Sequence, residues 1–300
     1  MKCAFIAAKM AAFPITVLCR VLDISRAAFY AWVDRPPSSH SLEDQKLALL
    51  VREAFERSRR TYGCPRIHAE LAAQGVHVSR KRVARIMRQE GLRARPRKRF
   101  KCCTDSNHDQ PVAANILDRK FEAERPNQRW VGDTTELVTD NGKLFLAVIL
   151  DLFSRYVVGW ALSPANDRFL TMKALDMAIK HRCPEAGLLH HSDQGSTYAS
   201  EDYQKVLTAH GITCSMSRRG NVHDNAAMES WNSTFKFECG ERFDTNVIAE
   251  EEVFDYIETF YNPQRRHSAI GYVSPAAFEC RFAEGRDPGR VSFAEAFPPP

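Results

Sequence analysis

The sequence contains no apolar run long enough to cross a bilayer. Its longest run, residues 144–150, is closed by Asp151 and falls well short of the roughly 20 residues that a membrane helix requires. Residues 4–17 resemble a secretory signal only weakly, because Lys9 and Pro14 interrupt them and no clear cleavage site follows. These absences argue against an integral membrane or secreted protein, and we expect a cytoplasmic one.

Paired cysteines are also missing. The chain has nine cysteines, an odd number, and no two of them stand at CxxC spacing. This excludes a zinc knuckle and does not fit a disulfide framework. The nearest approach to a metal cluster is Cys102, Cys103 and His108, which lack a second ligand pair, so we interpret the cysteines as reduced thiols.

Positive charge is scarce in the carboxyl-terminal part of the chain and abundant before it. Residues 1–120 contain 24 Lys and Arg against 11 Asp and Glu, a net charge of +13, whereas the other 180 residues contain 18 against 26, a net charge of −8. A basic first part on a cytosolic protein favours a polyanionic partner, because contacts with phosphates release counterions. The alternative is an ordinary solvated surface.

The first 37 residues have the pattern of a helix-turn-helix. Residues 14–33 predict two short helices that cross at a turn, with Ser25 capping the second helix. Pro36 and Pro37 end the unit. A plain helical hairpin without a role in DNA binding is the alternative. We expect five apolar side chains to be buried between the helices: Leu18, Leu22, Ile24, Phe29 and Trp32.

A second, strongly basic helix-turn-helix is predicted over residues 40–100. It comprises helices at residues 42–57, 65–73 and 79–90, followed by a basic arm. Five cations on the third helix repel one another unless an anion screens them, which favours DNA contact over a solvated helix. A polar linker, residues 101–124, follows. The DNA-binding candidates are Arg80, Lys81, Arg82, Arg85 and Arg88 on the helix and Arg97, Lys98 and Arg99 on the arm.

The pattern changes to strands after residue 125. Three apolar runs, residues 128–139, 143–151 and 156–162, predict three consecutive antiparallel strands. Helix, strand, helix, strand and helix follow, at residues 168–181, 187–191, 200–210, 212–216 and 224–239. This is the order of a ribonuclease-H-like α/β fold with a five-stranded mixed sheet. We assign residues 125–282 to this core and residues 283–300 to a tail.

Three acids occupy the positions that meet at one edge of such a sheet. Asp133 lies within the first strand, Asp193 directly follows the fourth, and Glu229 is in the first turns of the last helix. An all-oxygen site of this kind suits Mg²⁺ or Mn²⁺, and a pair of ions there would suit phosphodiester transfer. Each acid alone could equally be a cap or a solvated carboxylate.

Other polar side chains near these acids have simpler interpretations. One of His190 and His191 is expected to pack beneath the sheet. Asp224 is expected to cap the last helix. Asp151 is the nearest rival acid, but a local salt bridge with Arg155 explains it.

The last helix and the segment after it carry further cations. Lys236 shares a polar helix face with Glu229, together with Asn225 and Asn232, and would contact the DNA that Glu229 faces. For Arg265 and Arg266, near Tyr261 and His267, DNA contact and domain packing are equally plausible.

Five stretches of the sequence resemble second-reading-frame transposases of the insertion sequence three family. They are GDTTEL at 132–137, DLFSRYVVGW at 151–160, HSDQGSTY at 191–198, DNAAMESWNSTFKFE at 224–238 and FYNPQRRHSAIGYVSPAAFE at 260–279. The 35 residues between Asp193 and Glu229 match a spacing that this family shares with retroviral integrases. The resemblance implies an integrase-like core in which Asp133, Asp193 and Glu229 bind catalytic metal, and it implies that Lys236 contacts DNA.

The same resemblance implies a bacterial, nucleoid-associated protein, an activity and partners. Water would cleave a strand at the end of the insertion sequence, and the exposed 3′ hydroxyl would attack a second phosphodiester. Element ends and target DNA would be the double-stranded substrates. A homo-oligomer is expected because two ends are handled together, and a first-frame protein is a further candidate partner.

Two other functions fit parts of the sequence. A regulator with a catalytically inactive integrase-like domain would share the basic first part but has no use for three intact acids. A ribonuclease-H-like nuclease that cuts without joining would share the acids but does not account for the long carboxyl-terminal motifs.

Overall fold

A computed structural model of the chain describes residues 1–95, 112–218 and 221–286. The chain forms two compact units, residues 1–53 and residues 54–300. The division falls inside one helix, and the domain boundaries proposed from the sequence stay predictions. The predicted arm residues Arg97, Lys98 and Arg99, the first part of the linker and most of the tail lie outside the described residues.

The first unit is a small helical cluster. Its core consists of Ile6, Cys19 and Phe29, and Ser25 caps the third helix by accepting a backbone hydrogen bond at 3.1 Å, as predicted. The expectation that Trp32 is buried is wrong: its ring stacks on Phe29 but stays 40% exposed, since it lies near the end of the short helix. The helices are α1 Lys2–Lys9, α2 Ile15–Val21, α3 Arg26–Val33 and the first part of α4 Ser39–Arg57.

The second unit begins in α4 and continues with α5 Cys64–Ala73 and α6 Arg80–Gln89. Three apolar side chains of α6, Val83, Ile86 and Met87, are buried as the helical spacing predicts. Ser79 caps α6, and Gly91 follows it with φ +67°, a left-handed conformation that glycine adopts without strain.

A mixed sheet forms the centre of the second unit. Its order is β3-β2-β1-β4-β5, with β1 antiparallel to β2, β2 antiparallel to β3, and β1, β4 and β5 parallel. The three-strand meander and the two later parallel strands agree with the predicted ribonuclease-H-like order. A short sixth strand, which the sequence did not predict, pairs with the end of β1. The strands are β1 Arg129–Thr139, β2 Gly142–Asp151, β3 Val157–Ser163, β4 Leu189–Ser192, β5 Thr213–Met216 and β6 Arg242–Phe243.

Helices cover the sheet and connect its strands. One core cluster unites Trp130 and Ile149 of the sheet with Leu175 and Tyr203 of two helices. Gly159 allows close approach here, because a Cβ at this position would lie 2.2 Å from a backbone oxygen of α7. The helices are α7 Arg168–Arg182, α8 Ser196–Ala199, α9 Glu201–Ala209, α10 Ala226–Glu238, α11 Asn246–Phe254 and α12 Pro275–Ala283, with a π-helix at Asp255–Tyr261 and 3-10 turns at Val222–Asn225 and Ser268–Ile270.

The segment between the π-helix and α12 is bonded to the start of β3. The buried Asn262 side chain accepts a hydrogen bond from the Val157 N–H at 2.9 Å and donates to the Val157 carbonyl at 3.1 Å. An amide side chain thus satisfies both backbone groups of one residue at an outer strand of the sheet.

Candidate active site

The sheet register brings two of the three acids to the same level. β1 and β4 are parallel, and Val131 lies opposite His191. Continuing this register by two residues places Asp193, directly after β4, level with Asp133 on β1. Since β1 and β4 are adjacent strands about 4.8 Å apart, the two carboxylates lie at one end of the same strand pair.

Helix α10 brings the third acid to this place. The Asn232 amide donates a hydrogen bond to Asp133 Oδ2 at 2.7 Å, and Asp133 Oδ1 accepts one from the Thr134 N–H at 2.9 Å. Glu229 lies three residues before Asn232 and therefore on the same face of α10. At the start of the helix, Asn225 donates to the Gly132 carbonyl at 3.5 Å. Two side chains thus attach α10 to the part of β1 that carries Asp133.

The acids influence one another electrostatically. Burial raises the pKa of Asp133 to about 8, and the negative charges of Asp193 and Glu229 add to the increase, although the bonds from Thr134 and Asn232 oppose it. Burial also raises the pKa of Glu229, and the electrostatic effect of the neighbouring His223 opposes this increase. Negative charge is costly at this site unless a cation is present.

A divalent cation fits the chemistry of this donor set. Carboxylate oxygens are the ligands that Mg²⁺ and Mn²⁺ prefer. In the described ranges, however, no three acidic, histidine or cysteine side chains already surround a common point at metal-holding distance. The three acids lie near one another but do not surround a metal position, so their side chains would have to move closer together to bind an ion.

The rival acid Asp151 has a structural role with a different partner from the one predicted. Its carboxylate is fully buried, accepts hydrogen bonds from the Asn127 and Phe153 N–H groups at 2.7 and 2.9 Å, and lies 3.5 Å from the Arg182 guanidinium. Burial raises the pKa of Asp151 to about 6. The expected salt bridge to Arg155 is wrong: α7 supplies the cation from a distant part of the chain.

The structure also corrects the role of Asp224. It does not cap α10; its buried carboxylate pairs with Arg218 at 2.8 Å and Arg119 at 2.9 Å, and it accepts from Asn115 at 2.9 Å. The hydrogen bonds from Arg218 hold the pKa of Asp224 well below its usual range. Asp224 therefore links the loop before α10 to the segment before β1.

Both histidines of β4 are buried, on opposite faces of the sheet. The Tyr203 hydroxyl lies 2.7 Å from His190 Nε2, and the two nitrogens of His191 lie 2.9 and 3.1 Å from the hydroxyls of Ser215 and Ser217. Burial lowers the pKa of each imidazole to about 4. Both rings are therefore neutral near pH 7, and the packing interpretation holds for both rather than for one.

The two arginines after the π-helix form ion pairs within the protein. Arg265 is only 2% exposed and forms a buried ion pair with Glu238, including a bond from its terminal nitrogen at 2.7 Å. Arg266 donates to Glu70 at 2.9 Å and to the Tyr272 carbonyl at 3.2 Å. These contacts agree with the packing role, and a contact of either arginine with DNA stays a prediction.

The other predicted DNA contacts stay predictions. On α6, three of the candidate cations, Arg80, Lys81 and Arg88, are exposed, while Arg82 and Arg85 are half-buried. Lys236 is half-buried on the same helix as Glu229.

The sequence placed Asn232 on that helix face but did not predict its bond to Asp133, because the partner is 99 residues away.

Profiles of known protein families match most of the chain. The family "Integrase core domain" matches residues 123–222, a second family of the same description matches residues 210–275, and "HTH-like domain" matches residues 41–100. None of the helices described is long and apolar enough to cross a membrane.

Two curated relatives cover nearly the whole chain. "Transposase InsF for insertion sequence IS3A" from Escherichia coli is 42% identical over 283 residues, which is 93% of this chain and 98% of the relative. "Insertion element IS600 uncharacterized 31 kDa protein" from Shigella sonnei is 42% identical over 267 residues, 88% of this chain and 98% of the relative.

Solved integrase structures are more distant. The HTLV-2 integrase catalytic core domain in complex with magnesium, in its trimeric form, covers 50% of this chain and 95% of its own, with 19% identity and a TM-score of 0.38. The simian T-cell lymphotropic virus intasome in complex with the PP2A regulatory subunit B56 gamma covers 69% and 68%, with 17% identity and a TM-score of 0.43.

Proposed function

This chain belongs to the IS3-family InsF transposases and is a DNA transposase of the DDE type, and we propose that Asp133, Asp193 and Glu229 are its catalytic acids. Its integrase core and HTH-like domain imply action on DNA. The proposed reaction has two steps: water cleaves a strand at the element end, and the 3′ hydroxyl so exposed attacks a phosphodiester of the target. Double-stranded element ends and target DNA are the proposed substrates.

The observation that carries this assignment is the hydrogen bond from Asn232 to Asp133. It attaches the helix of Glu229 to the strand of Asp133, and the register of β1 with β4, continued by two residues, supports Asp193 as the third acid. The raised pKa of Asp133 supports the same conclusion, because crowded carboxylates of this kind are typical of a cation site.

We propose that the three acids together hold two divalent ions, Mg²⁺ or Mn²⁺. Such ions, when bound, would activate the attacking oxygen and stabilise the leaving one. The chain's own part is to orient the ligands: Thr134 and Asn232 fix both oxygens of Asp133, and the turn after β4 holds Asp193 through the Gly195 N–H at 3.0 Å. Without a cation, Asp133 keeps a proton at neutral pH.

We propose three further properties on chemical grounds. Two element ends must be joined in one event, so the active form is a homo-oligomer. Lys236 and the α6 cations contact DNA, since the lysine lies on the face of α10 that carries Glu229. A first-frame protein of the same element is a candidate partner.

Strand transfer by the purified chain tests the assignment. The assay supplies Mg²⁺ and labelled element-end DNA to the wild type, to Asp193→Asn and to the control Asp140→Asn, which removes an exposed carboxylate in the β1–β2 turn. We expect Asp193→Asn to bind DNA but to lose cleavage and joining, and the control to retain both. Joining by Asp193→Asn would reject the assignment. Cleavage without joining by the wild type would favour a nuclease, and binding without cleavage would favour a regulator.

A further inference from the structure

A cavity of about 410 Å³ lies beside α10, away from the acids. Its wall includes Ala226, Ser230 and Thr234 of that helix. At 100° per residue, Ser230 and Thr234 project about 100–160° around the helix axis from Glu229 and Asn232, and so from a different side of α10. The cavity therefore lies on a flank of α10 beside the one that carries Glu229, and none of the three acids lines it.

Positive charge surrounds the cavity. Arg66, Arg155 and Arg265 line it, and no acidic side chain of the described residues does so. Behind the wall, Glu238 pairs with Arg265 and lies 3.7 Å from Arg66, so it offsets one of the three charges. The combined charge of these four groups is +2.

The imidazole of His267 also lines the cavity. It adds no charge, but its pKa shows that the three arginines lie near one another. Burial and the nearby charges of Arg265, Arg66 and Arg155 hold the pKa of His267 well below its usual range. His267 is therefore neutral, and all three guanidinium groups lie close enough to influence it. The cations thus surround one space rather than separate parts of the surface.

Arg155 is the unusual member of the cluster. Within the described part of the chain its partly buried guanidinium makes no hydrogen bond or ion pair: Asp151 favours its charge only at longer range and is itself paired with Arg182. Its backbone has φ +64°, a left-handed conformation that is unfavourable for arginine. An unpaired, partly buried cation on a strained backbone is costly, and an anion in the cavity would offset that cost.

The remaining wall is suited to more than a bare ion. Trp231 and Tyr261 contribute apolar ring surface, and the Trp231 indole N–H makes no hydrogen bond of normal geometry in the described residues although the Tyr261 hydroxyl is near it. Guanidinium groups match the oxygens of a phosphate, and aromatic rings pack against the adjoining sugar.

We propose that this cavity binds one backbone phosphate of a DNA strand, distinct from the phosphodiester that is cut at the acids. The proposal rests on the proposed function in taking DNA as the ligand. It gives α10 two roles: one flank carries a catalytic acid, and a neighbouring flank lies against a phosphate that fixes the helix relative to the DNA.

Binding of double-stranded DNA in the presence of EDTA tests this without any chemistry. Association constants are measured over a range of NaCl concentrations for the full chain and for Arg155→Asn, since asparagine tolerates the left-handed backbone. The matched control is Arg60→Asn, which removes an exposed arginine with φ +59° that pairs only with Glu56 among the interactions described for it. Arg155→Lys retains the charge.

In a plot of log K against log salt concentration, loss of one phosphate contact makes the negative slope shallower by about 0.9. We expect this loss, with a severalfold weaker association at low salt, for Arg155→Asn but not for Arg60→Asn or Arg155→Lys. Ser230→Glu, which adds an acid at the exposed rim without touching Arg155, should reproduce it if Arg155→Asn does not fold. An unchanged slope in both Arg155→Asn and Ser230→Glu would overturn the proposal. An equally large change of slope in Arg60→Asn would overturn it as well.

Inorganic phosphate distinguishes DNA from a free anion. At constant ionic strength, phosphate should raise the melting temperature of the wild type more than that of Arg155→Asn. If this difference appears while the DNA slope is unchanged, the cavity takes a free phosphate compound and the DNA proposal is wrong. Asp133→Asn should keep the full salt slope while losing strand transfer, so a failure of the cavity proposal and a failure of the catalytic assignment give different results.

Discussion

Removing the charge of Asp133 should change how the stability of the metal-free protein depends on pH. The pKa of this carboxyl is about 8 in the fold, against 3.8 for an unperturbed aspartate. Between these values the folded chain binds a proton that the unfolded chain has lost, so the free energy of unfolding falls as pH rises. The contribution is fully present below pH 4 and is lost as pH approaches 8.

The slope has an upper limit of about 1.4 kcal/mol per pH unit. Because Asp133 is still partly accessible to solvent, which screens its charge, we expect about half of this, or roughly 2 kcal/mol between pH 5 and pH 7.5. For a unit of this size that corresponds to about 4–8 °C in melting temperature.

Asp133→Asn isolates this contribution. The buried His190 and His191, with pKa values of about 4, and Asp151, with a pKa of about 6, also make stability depend on pH. The variant retains all three, so they cancel in the difference between the two melting curves. With EDTA present, the wild type should lose stability relative to Asp133→Asn as pH rises, and Asp140→Asn should follow the wild type.

Adding MgCl₂ at pH 7.5 extends the same measurement. A cation at the acids should raise the melting temperature of the wild type and leave that of Asp133→Asn almost unchanged. Parallel melting curves for the two proteins across pH 5–7.5 in EDTA would refute the reasoning about charge at this site.

Three other substitutions test individual contacts. Asn232→Ala removes a bond that stabilises ionised Asp133, so the acidic limb of the pH–activity profile should move up by about one pH unit. If this limb does not move, Asn232 does not position Asp133. Glu238→Gln leaves Arg265 buried without its counter-charge and should lower the free energy of unfolding in urea by about 3 kcal/mol or more, and a loss below 1 kcal/mol would contradict this. Gly159→Ala forces a methyl group against the backbone of α7 and should cost about 1–3 kcal/mol; wild-type stability would show that the helix can shift.

Much of the central fold follows from the sequence because its patterns are local. The long apolar runs at residues 128–151 predict paired strands, and helical spacing predicts α7 and α10 with small errors at their ends. The three acids could be proposed as one site because strand order fixes where strand ends meet. The burial of Met228 and Phe235 on one face of α10 likewise follows from helical periodicity.

Partners that are distant along the chain could not be predicted in the same way. Arg155 is four residues from Asp151 and was its natural partner by sequence, but Arg182 reaches the acid through the packing of α7. Arg265 is a cation in a segment that could contact DNA, yet it is buried in an ion pair with Glu238, which lies 27 residues earlier. Charged side chains near a binding site carry no local signal that separates contact with a ligand from contact within the protein.

The amide of Asn262 has a consequence for shortened forms of this protein. A gene copy interrupted before this codon would still encode every strand of the sheet and all three acids, but Val157 would begin its strand with both backbone groups unpaired. Exposed strand edges recruit other chains. Such a fragment should therefore precipitate or join intact copies improperly, rather than persist as a soluble competitor for DNA.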